Sequence, residues 1–173
     1  MKKCLIVVDY QVDFVTGSLG FEKAVALEKP IADKISEYRA ENADVIFTFD
    51  THHSDYLNTN EGRNLPVVHC IEGTGGHDLY GTVADMKKAE DRCFNKPVFG
   101  SAQLFDYLRE SDYDSIELCG VVSNICVISN AVLAKTALPE AEIIVDSNCV
   151  ASNDDALNDY ALKVMQSLQI KVI

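Results

Sequence analysis

ELCGVVSNICVISNAVL, residues Glu117 to Leu133, is the stretch whose reading decides the fold. It begins as an apolar run ending at Cys119-Gly120, the pattern of a buried strand reaching its C-terminal edge. Ser123 and Asn124 follow, both good helix N-cap residues. Ile125-Cys126-Val127-Ile128 then opens an apolar helix expected to run to about Ala137. Cys126 therefore falls in the first turn of a helix just beyond a strand end. Free backbone N–H groups and the helix dipole favour an anion there, and hence a thiolate. Taken alone, such a cysteine is more often a small core residue, because free Cys is among the most buried side chains.

The same alternation extends outward in both directions. Cys4 to Val8 is a short apolar run closed by Asp9, as expected for a central strand of a parallel sheet. A polar, glycine-punctuated loop spans Gln11 to Phe21. Pro30 suits the first turn of a helix reaching about Glu41, with Ile31, Ile35 and Tyr38 on one face. Asp44 to Phe49 reads as a second strand, stopped by Asp50. Arg92 to Asn95 reads as a third, followed by Lys96-Pro97. Ser101 is the expected cap of a helix reaching about Glu110, with Leu104, Phe105 and Leu108 inward. Ser115 to Leu118 is the strand of the opening stretch, and Glu142 to Val145 another, stopped by Asp146. Ser152 or Asn153 starts a helix to about Leu168, and Ile170 to Ile173 closes the chain as a strand.

Strands alternating with helices predict an α/β fold: a three-layer, doubly wound architecture on a mainly parallel, about six-stranded sheet, with residues 1–173 as one domain. Ligands in such sheets bind at the carboxyl ends of the strands. Asp9, Asp50, Lys96 and Cys126 all fall at or just after such ends.

Composition narrows the partners. The 173 residues, 47 % of them hydrophobic and 24 % charged, can bury a substantial core. A net charge of −12 without a basic cluster argues against nucleic acid or an anionic membrane as partner. Six cysteines without a CxxC pair, several inside apolar strand patterns, fit a reduced, cytoplasmic protein better than a disulfide framework. The apolar run after Met1-Lys2-Lys3 ends at Asp9, too soon for a signal peptide, and no stretch approaches a membrane span.

The chemistry-bearing residues are weak singly. Asp9 alone reads as a loop-capping aspartate, and Lys96 alone as a solvated surface lysine. Thr51 to His77 is long and rich in His, Asn, Gly and Thr, and loops of that length are functional or disordered. At its start Asp50 and His52 are two apart, so in an extended segment both point to one side while His53 points away. With His69 and Glu61 from the same loop they make a mixed N/O site for a borderline divalent metal. The competing reading is a polar loop with exposed histidines. Together, a thiol, a carboxylate and a lysine at one crevice indicate nucleophilic catalysis, with amides around Val122 and Cys126 as oxyanion donors.

Four segments in order give a resemblance covering nearly the whole chain. LIVVDYQVDFVTGSL (Leu5 to Leu19), FDTH (Phe49 to His52) with HCIEGT (His69 to Thr74), NKPVFGS (Asn95 to Ser101) and CGVVSNICV (Cys119 to Val127) resemble the isochorismatase-like cysteine hydrolases, in particular the nicotinamidase/pyrazinamidase branch. The resemblance implies a catalytic triad of Asp9, Lys96 and Cys126, with the Val122 and Cys126 amides holding the oxyanion. It implies a cis peptide at Val121-Val122. It further implies a divalent metal, zinc foremost with iron or manganese as alternatives, on Asp50, His52 and His69, with Glu61 as a fourth ligand. Phe14 and Phe99 would pack on the substrate ring. Where many nicotinamidases carry Trp or Phe before a Pro-x-His stretch, this chain has Leu65-Pro66-Val67-Val68-His69. Ser123-Asn124 replaces a common Thr-Asp.

The expected activity is hydrolysis of nicotinamide and pyrazinamide to the acid and ammonia, in NAD salvage. A small-molecule amide is thus the expected partner; relatives often self-associate, which leaves a homo-oligomer open. Leu65 favours a second reading, a hydrolase of another small amide or carbamoyl compound. A third, from another class, is a non-catalytic or redox-sensing protein in which Cys126 meets peroxide.

Overall fold

A computed structural model describes residues 1–173. The sheet has six strands: β1 (Lys3–Val8), β2 (Asp44–Asp50), β3 (Arg92–Lys96), β4 (Ser115–Val121), β5 (Glu142–Ala151) and β6 (Lys171–Val172). Their order is β3-β2-β1-β4-β5-β6, and every neighbouring pair is parallel. Eight α-helices connect them: α1 (Val12–Val15), α2 (Glu22–Ala26), α3 (Glu28–Ala40), α4 (Asn60–Asn64), α5 (Gly81–Met86), α6 (Ala102–Arg109), α7 (Ile128–Ala137) and α8 (Asp155–Ser167). No helix is long and apolar enough to cross a membrane.

Two apolar layers follow from the two-residue period of the strands. Cys4, Ile6 and Val8 of β1 pack with Leu104 and Leu108 of α6, Ala131 and Ala134 of α7, and Ala161 and Met165 of α8. Leu5 and Val7 point the other way, to Ile31, Ile35 and Tyr38 of α3 and Val83 of α5. Burial of each such aliphatic side chain is worth about 1.5–3 kcal/mol, so both faces of the sheet carry the fold. Pro30 sits in the first turn of α3, where its missing N–H costs no intrahelical bond. Ser101 caps α6 as expected, its Oγ accepting the Leu104 N–H at 3.1 Å. Phe105 on that helix is only half-buried, Leu104 and Leu108 taking the inward positions.

Three local expectations are corrected. Ser123 and Asn124 do not cap a helix: the chain makes a π-type turn over Ser123–Val127 before α7, with Val122 at its N-cap. Ser123 Oγ instead donates to Asn158 Oδ1 on α8 at 2.7 Å, so a tertiary bond displaces the local cap. Asp146 does not end β5; the ladder with β4 slips there, resuming at Gly120 opposite Val150. Asp146 accepts the Asn148 N–H at 2.9 Å and pairs with Lys34 at 3.0 Å, which holds the bulge. Asp154, not Ser152 or Asn153, caps α8 by accepting the Leu157 N–H at 3.0 Å. The Ser152 hydroxyl accepts the Asp154 N–H one step earlier.

The chain winds from β1 outward to β3, then restarts at β4 on the other side of β1. The topological switch point therefore lies between the carboxyl ends of β1 and β4. Gly120 makes the close approach there: at φ +112° it has no room for a Cβ against the Val8 carbonyl.

Candidate active site

Three strand ends deliver one buried cluster. Asp9 follows β1, Lys96 ends β3, and Cys126 sits in the π turn after β4; they are 0 %, 1 % and 4 % exposed. Lys96 Nζ lies 2.6 Å from Asp9 Oδ2 and 3.5 Å from Cys126 Sγ. The Asp9 contact is an ion pair without the angle of a hydrogen bond. Thr48 Oγ1 on β2 donates to Asp9 Oδ1 at 2.6 Å. Peptide Val121-Val122 is cis, and the Val122 N–H has no partner within the protein.

Burial sets the protonation states. It pushes the Asp9 carboxyl up, aided by the nearby Asp50 charge and opposed by Lys96 and Thr48. Burial likewise drives the Cys126 thiol well above its ordinary range, with Asp9 adding to the effect and Lys96 opposing it. For Lys96 burial works downward, but the Asp9, Cys126 and Asp50 charges outweigh it and hold the ammonium protonated. Burial thus works against the thiolate that a helix start favours, and Asp9 and Lys96 stand beside the thiol with opposed effects on it.

A second cluster adjoins the first through Asp50, whose Oδ1 is 3.3 Å from Lys96 Nζ. Asp50 ends β2, and its Oδ2 lies 3.0 Å from His52 Nε2 and 3.2 Å from His69 Nε2. Glu61 Oε1 on α4 is 3.7 Å from each histidine nitrogen. His53 points away and is 68 % exposed on its side chain. One ligand atom from each of Asp50, His52, Glu61 and His69 lies within 4.8 Å of the other three. The donor set fits a divalent ion in three respects. Two carboxylates balance its charge. Glu61 Oε2 is buried without a hydrogen-bond partner. His69 Nδ1 faces the Val67 carbonyl at 2.7 Å and must carry the proton there, leaving Nε2 a lone pair toward the cluster. Burial works to raise the Asp50 pKa, but the neighbouring imidazoles and the Lys96 charge outweigh it and hold the carboxyl far below its usual range.

Both clusters meet at a mainly apolar cavity of about 180 Å³. Phe14, Leu65 and Phe99 line it as the sequence suggests, with Asp50, Glu61, His69, Val122 and Cys126. Asp9, Lys96 and His52 stand behind this lining. Four further lining residues, Leu19, Phe21, Ile125 and Asn153, escape sequence reasoning. Leu19 and Phe21 are hidden in a loop that reads as polar, and Ile125 reads as helix core. Asn153 follows the end of β5, but the sequence pattern stops that strand at Asp146, so the strand-end rule misses it.

An isochorismatase-domain family model matches residues 3–173. The chain belongs to the isochorismatase family. Among its relatives, this family member is 31 % identical to an uncharacterised isochorismatase family protein, PncA, of Bacillus subtilis (strain 168), over 94 % of this chain and 93 % of that one. It is 26 % identical to the nicotinamidase/pyrazinamidase of Mycobacterium tuberculosis, over 99 % and 98 %. The crystal structure of a pyrazinamidase/nicotinamidase from Streptococcus mutans UA159 superposes with a TM-score of 0.89 at 30 % identity, covering 99 % of this chain and 100 % of that one.

Proposed function

We propose that this isochorismatase-family chain, acting as one hydrolase unit, is an amidase that hydrolyses nicotinamide and pyrazinamide to the carboxylic acid and ammonia through a cysteine thioester. One observation carries the reading: Lys96 lies 2.6 Å from Asp9 and 3.5 Å from Cys126, and 3.3 Å from a carboxylate of the four-ligand cluster across the same cavity. As the Cys126 sulfur attacks the carboxamide carbon, Asp9 takes the thiol proton and the carbonyl π electrons move to oxygen. The Val122 and Cys126 N–H groups hold that oxyanion. Collapse of the adduct breaks the C–N bond, and the proton on Asp9 leaves with ammonia. Water then adds to the thioester with Asp9 as base, and the thiol is released with the acid. Lys96 stays protonated throughout and balances whichever of Asp9 or Cys126 is anionic.

Asp50, His52, Glu61 and His69 would hold zinc, with iron or manganese as alternatives for an N/O set. When bound, the ion supplies a Lewis-acidic point for a ring nitrogen, orienting the ring rather than polarising the amide. Phe14 and Phe99 would pack on the ring. Leu65, 38 % exposed at the cavity, supports a second reading in which another small amide or carbamoyl compound is the substrate.

The test is ammonia release from nicotinamide by zinc-loaded protein. Wild type should turn over, and Cys126→Ala should lose at least about 10³-fold in kcat, as expected when a nucleophile is removed. No turnover of nicotinamide or pyrazinamide by loaded wild type would reject the reading. Turnover untouched by His52→Ala would reject the role given to the metal.

A further inference from the structure

We propose that Gln11 and Asp13 are positioning residues that fasten the backbone of two metal ligands to the segment carrying Asp9, and so set the distance between Cys126 and the metal centre. The inference rests on the amidase reading above and adds to it how substrate length is selected.

The segment leaves β1 through Asp9, whose φ of +46° turns the chain sharply. Gln11, two residues on, is fully buried. Its Oε1 accepts the Asp50 N–H at 2.8 Å, and its Nε2 donates to the Asp50 carbonyl at 2.9 Å. A single carboxamide thus grips both backbone groups of a ligand residue, as a neighbouring strand would. The second Nε2 hydrogen goes to the His77 carbonyl at 2.9 Å, so the amide donor capacity is used up.

Asp13, two residues further, holds the peptide that joins His69, a second ligand, to Cys70. Its Oδ2 accepts the Cys70 N–H at 2.7 Å. Cys70 follows His69 directly and holds φ at +46°, an uncommon value for a side chain other than Gly, Asn or Asp. That turn directs His69 into the cluster, and the Asp13 carboxylate is its fastening. Gly17 and Gly76 lie so close to this carboxylate that a Cβ at either position would strike it. Phe14 adds an edge contact to the His69 ring, centroids 5.5 Å apart.

Asp9, Gln11 and Asp13 alternate along one short segment, each engaging a different part of the site. Proton transfer partner and metal ligands are therefore held by one piece of backbone. A substrate must span from the thiol to the ion, so this segment fixes the separation between its amide carbon and its ring nitrogen. Neither side chain touches the metal site through a ligand side chain; both act through backbone.

The experiment titrates metal-free protein with Co²⁺, followed by its visible absorption, alongside nicotinamide kinetics and iodoacetamide alkylation of Cys126. Alkylation is read at Cys126 by peptide mass, since Cys93 is exposed. Gln11→Met and Asp13→Ala should each weaken Co²⁺ binding by about 10–100-fold, the usual cost of losing an outer partner of a ligand. KM for nicotinamide should rise more than kcat falls, and the alkylation rate should stay within about twofold, the triad being intact. Asp13→Asn keeps an acceptor oxygen for Cys70 and should restore most of the affinity. If Gln11→Met does not fold, Gln11→Glu, which sets a carboxylate oxygen against two carbonyls, should give the same loss. Folded variants with wild-type Co²⁺ affinity would overturn the proposal, as would Asp13→Asn losing as much as Asp13→Ala. Wild type that binds Co²⁺ but hydrolyses no nicotinamide would instead defeat the substrate assignment, leaving the affinity comparison intact.

Discussion

At Asp9 a single hydrogen bond tunes the proposed proton acceptor. Thr48 Oγ1 donates to its carboxylate at 2.6 Å, and this bond, like Lys96, works against the burial that raises the Asp9 pKa. Thr48→Val keeps the side-chain shape and removes the donor. The carboxyl pKa must then move further up, because only its charged form loses a partner. The acid limb of kcat/KM should shift to higher pH in Thr48→Val, with the Cys126→Ala background inactive at every pH. A limb that stays in place would assign it to another group. That Asp9, Lys96 and Cys126 come together is legible in the sequence, since each stands at or just after a strand end. Their protonation is not. A helix start favours a thiolate in the abstract, but the 4 % exposure of Cys126 belongs to packing by distant segments, and that decides the sign.

At the level of elements, apolar runs yield all six strands, β5 ending six residues beyond its expected end, and the two-residue spacing of Asp50 and His52 yields half of the four-residue cluster. The short helices α1, α2, α4 and α5 span four to six residues each, too few for a helical period to show. Glu61 on α4 reaches the cluster from a point in the chain nine residues after His52 and eight before His69, a tertiary placement that no local spacing encodes. The β5 bulge is equally tertiary. Lys34 of α3 reaches over the sheet to Glu117 of β4 at 2.9 Å and Asp146 of β5 at 3.0 Å, while Tyr38 donates to Glu117 at 2.6 Å. Glu117 is 4 % exposed, so Lys34→Met leaves a buried carboxylate without its cation. The expected loss is about 3 kcal/mol, or about 6–12 °C in Tm for a chain of this size, checked by thermal circular dichroism. Replacing both partners, Lys34→Met with Glu117→Leu, should recover much of it. Asp146 adds a pH signature. Burial works to raise its pKa, but the Asn148 N–H and Lys34 outweigh it and hold it low. Its stabilising contribution is present above the ordinary carboxylate pKa of about 3.9 and is lost as pH falls through the lowered folded value. The stability gap between wild type and Asp146→Asn should therefore narrow on acidification below about pH 4.

For the whole molecule, the candidate metal cluster of Asp50, His52, Glu61 and His69 joins parts of the chain that the sheet leaves only lightly connected. Asp50 belongs to β2, whereas His52, Glu61 and His69 hang on the long segment between β2 and α5. Within that segment only the single bridge between His52 and Ile71 gives sheet-like pairing. Without a cation, Asp50 and Glu61 face each other across the two histidines, and burial together with the Asp50 charge pushes the Glu61 carboxyl up. A divalent ion removes that conflict and ties the segment to the sheet in one step. Because the unfolded chain does not hold these ligands together, binding stabilises the native state by mass action. At a free ion concentration of a hundred times Kd the gain is about 2.7 kcal/mol. For a chain of this length that corresponds to a rise in Tm of about 5–11 °C. Melting curves of EDTA-stripped and zinc-saturated protein should differ by this amount, and the difference should vanish in His69→Ala. Hydrogen exchange should slow across residues 51–77, and amides of β1 and β4 that exchange only through global unfolding should slow by the factor that the rise in global stability sets. Equal melting curves with and without zinc would mean that the ion does not bind the native state in preference to the unfolded chain, and would remove it from these four residues.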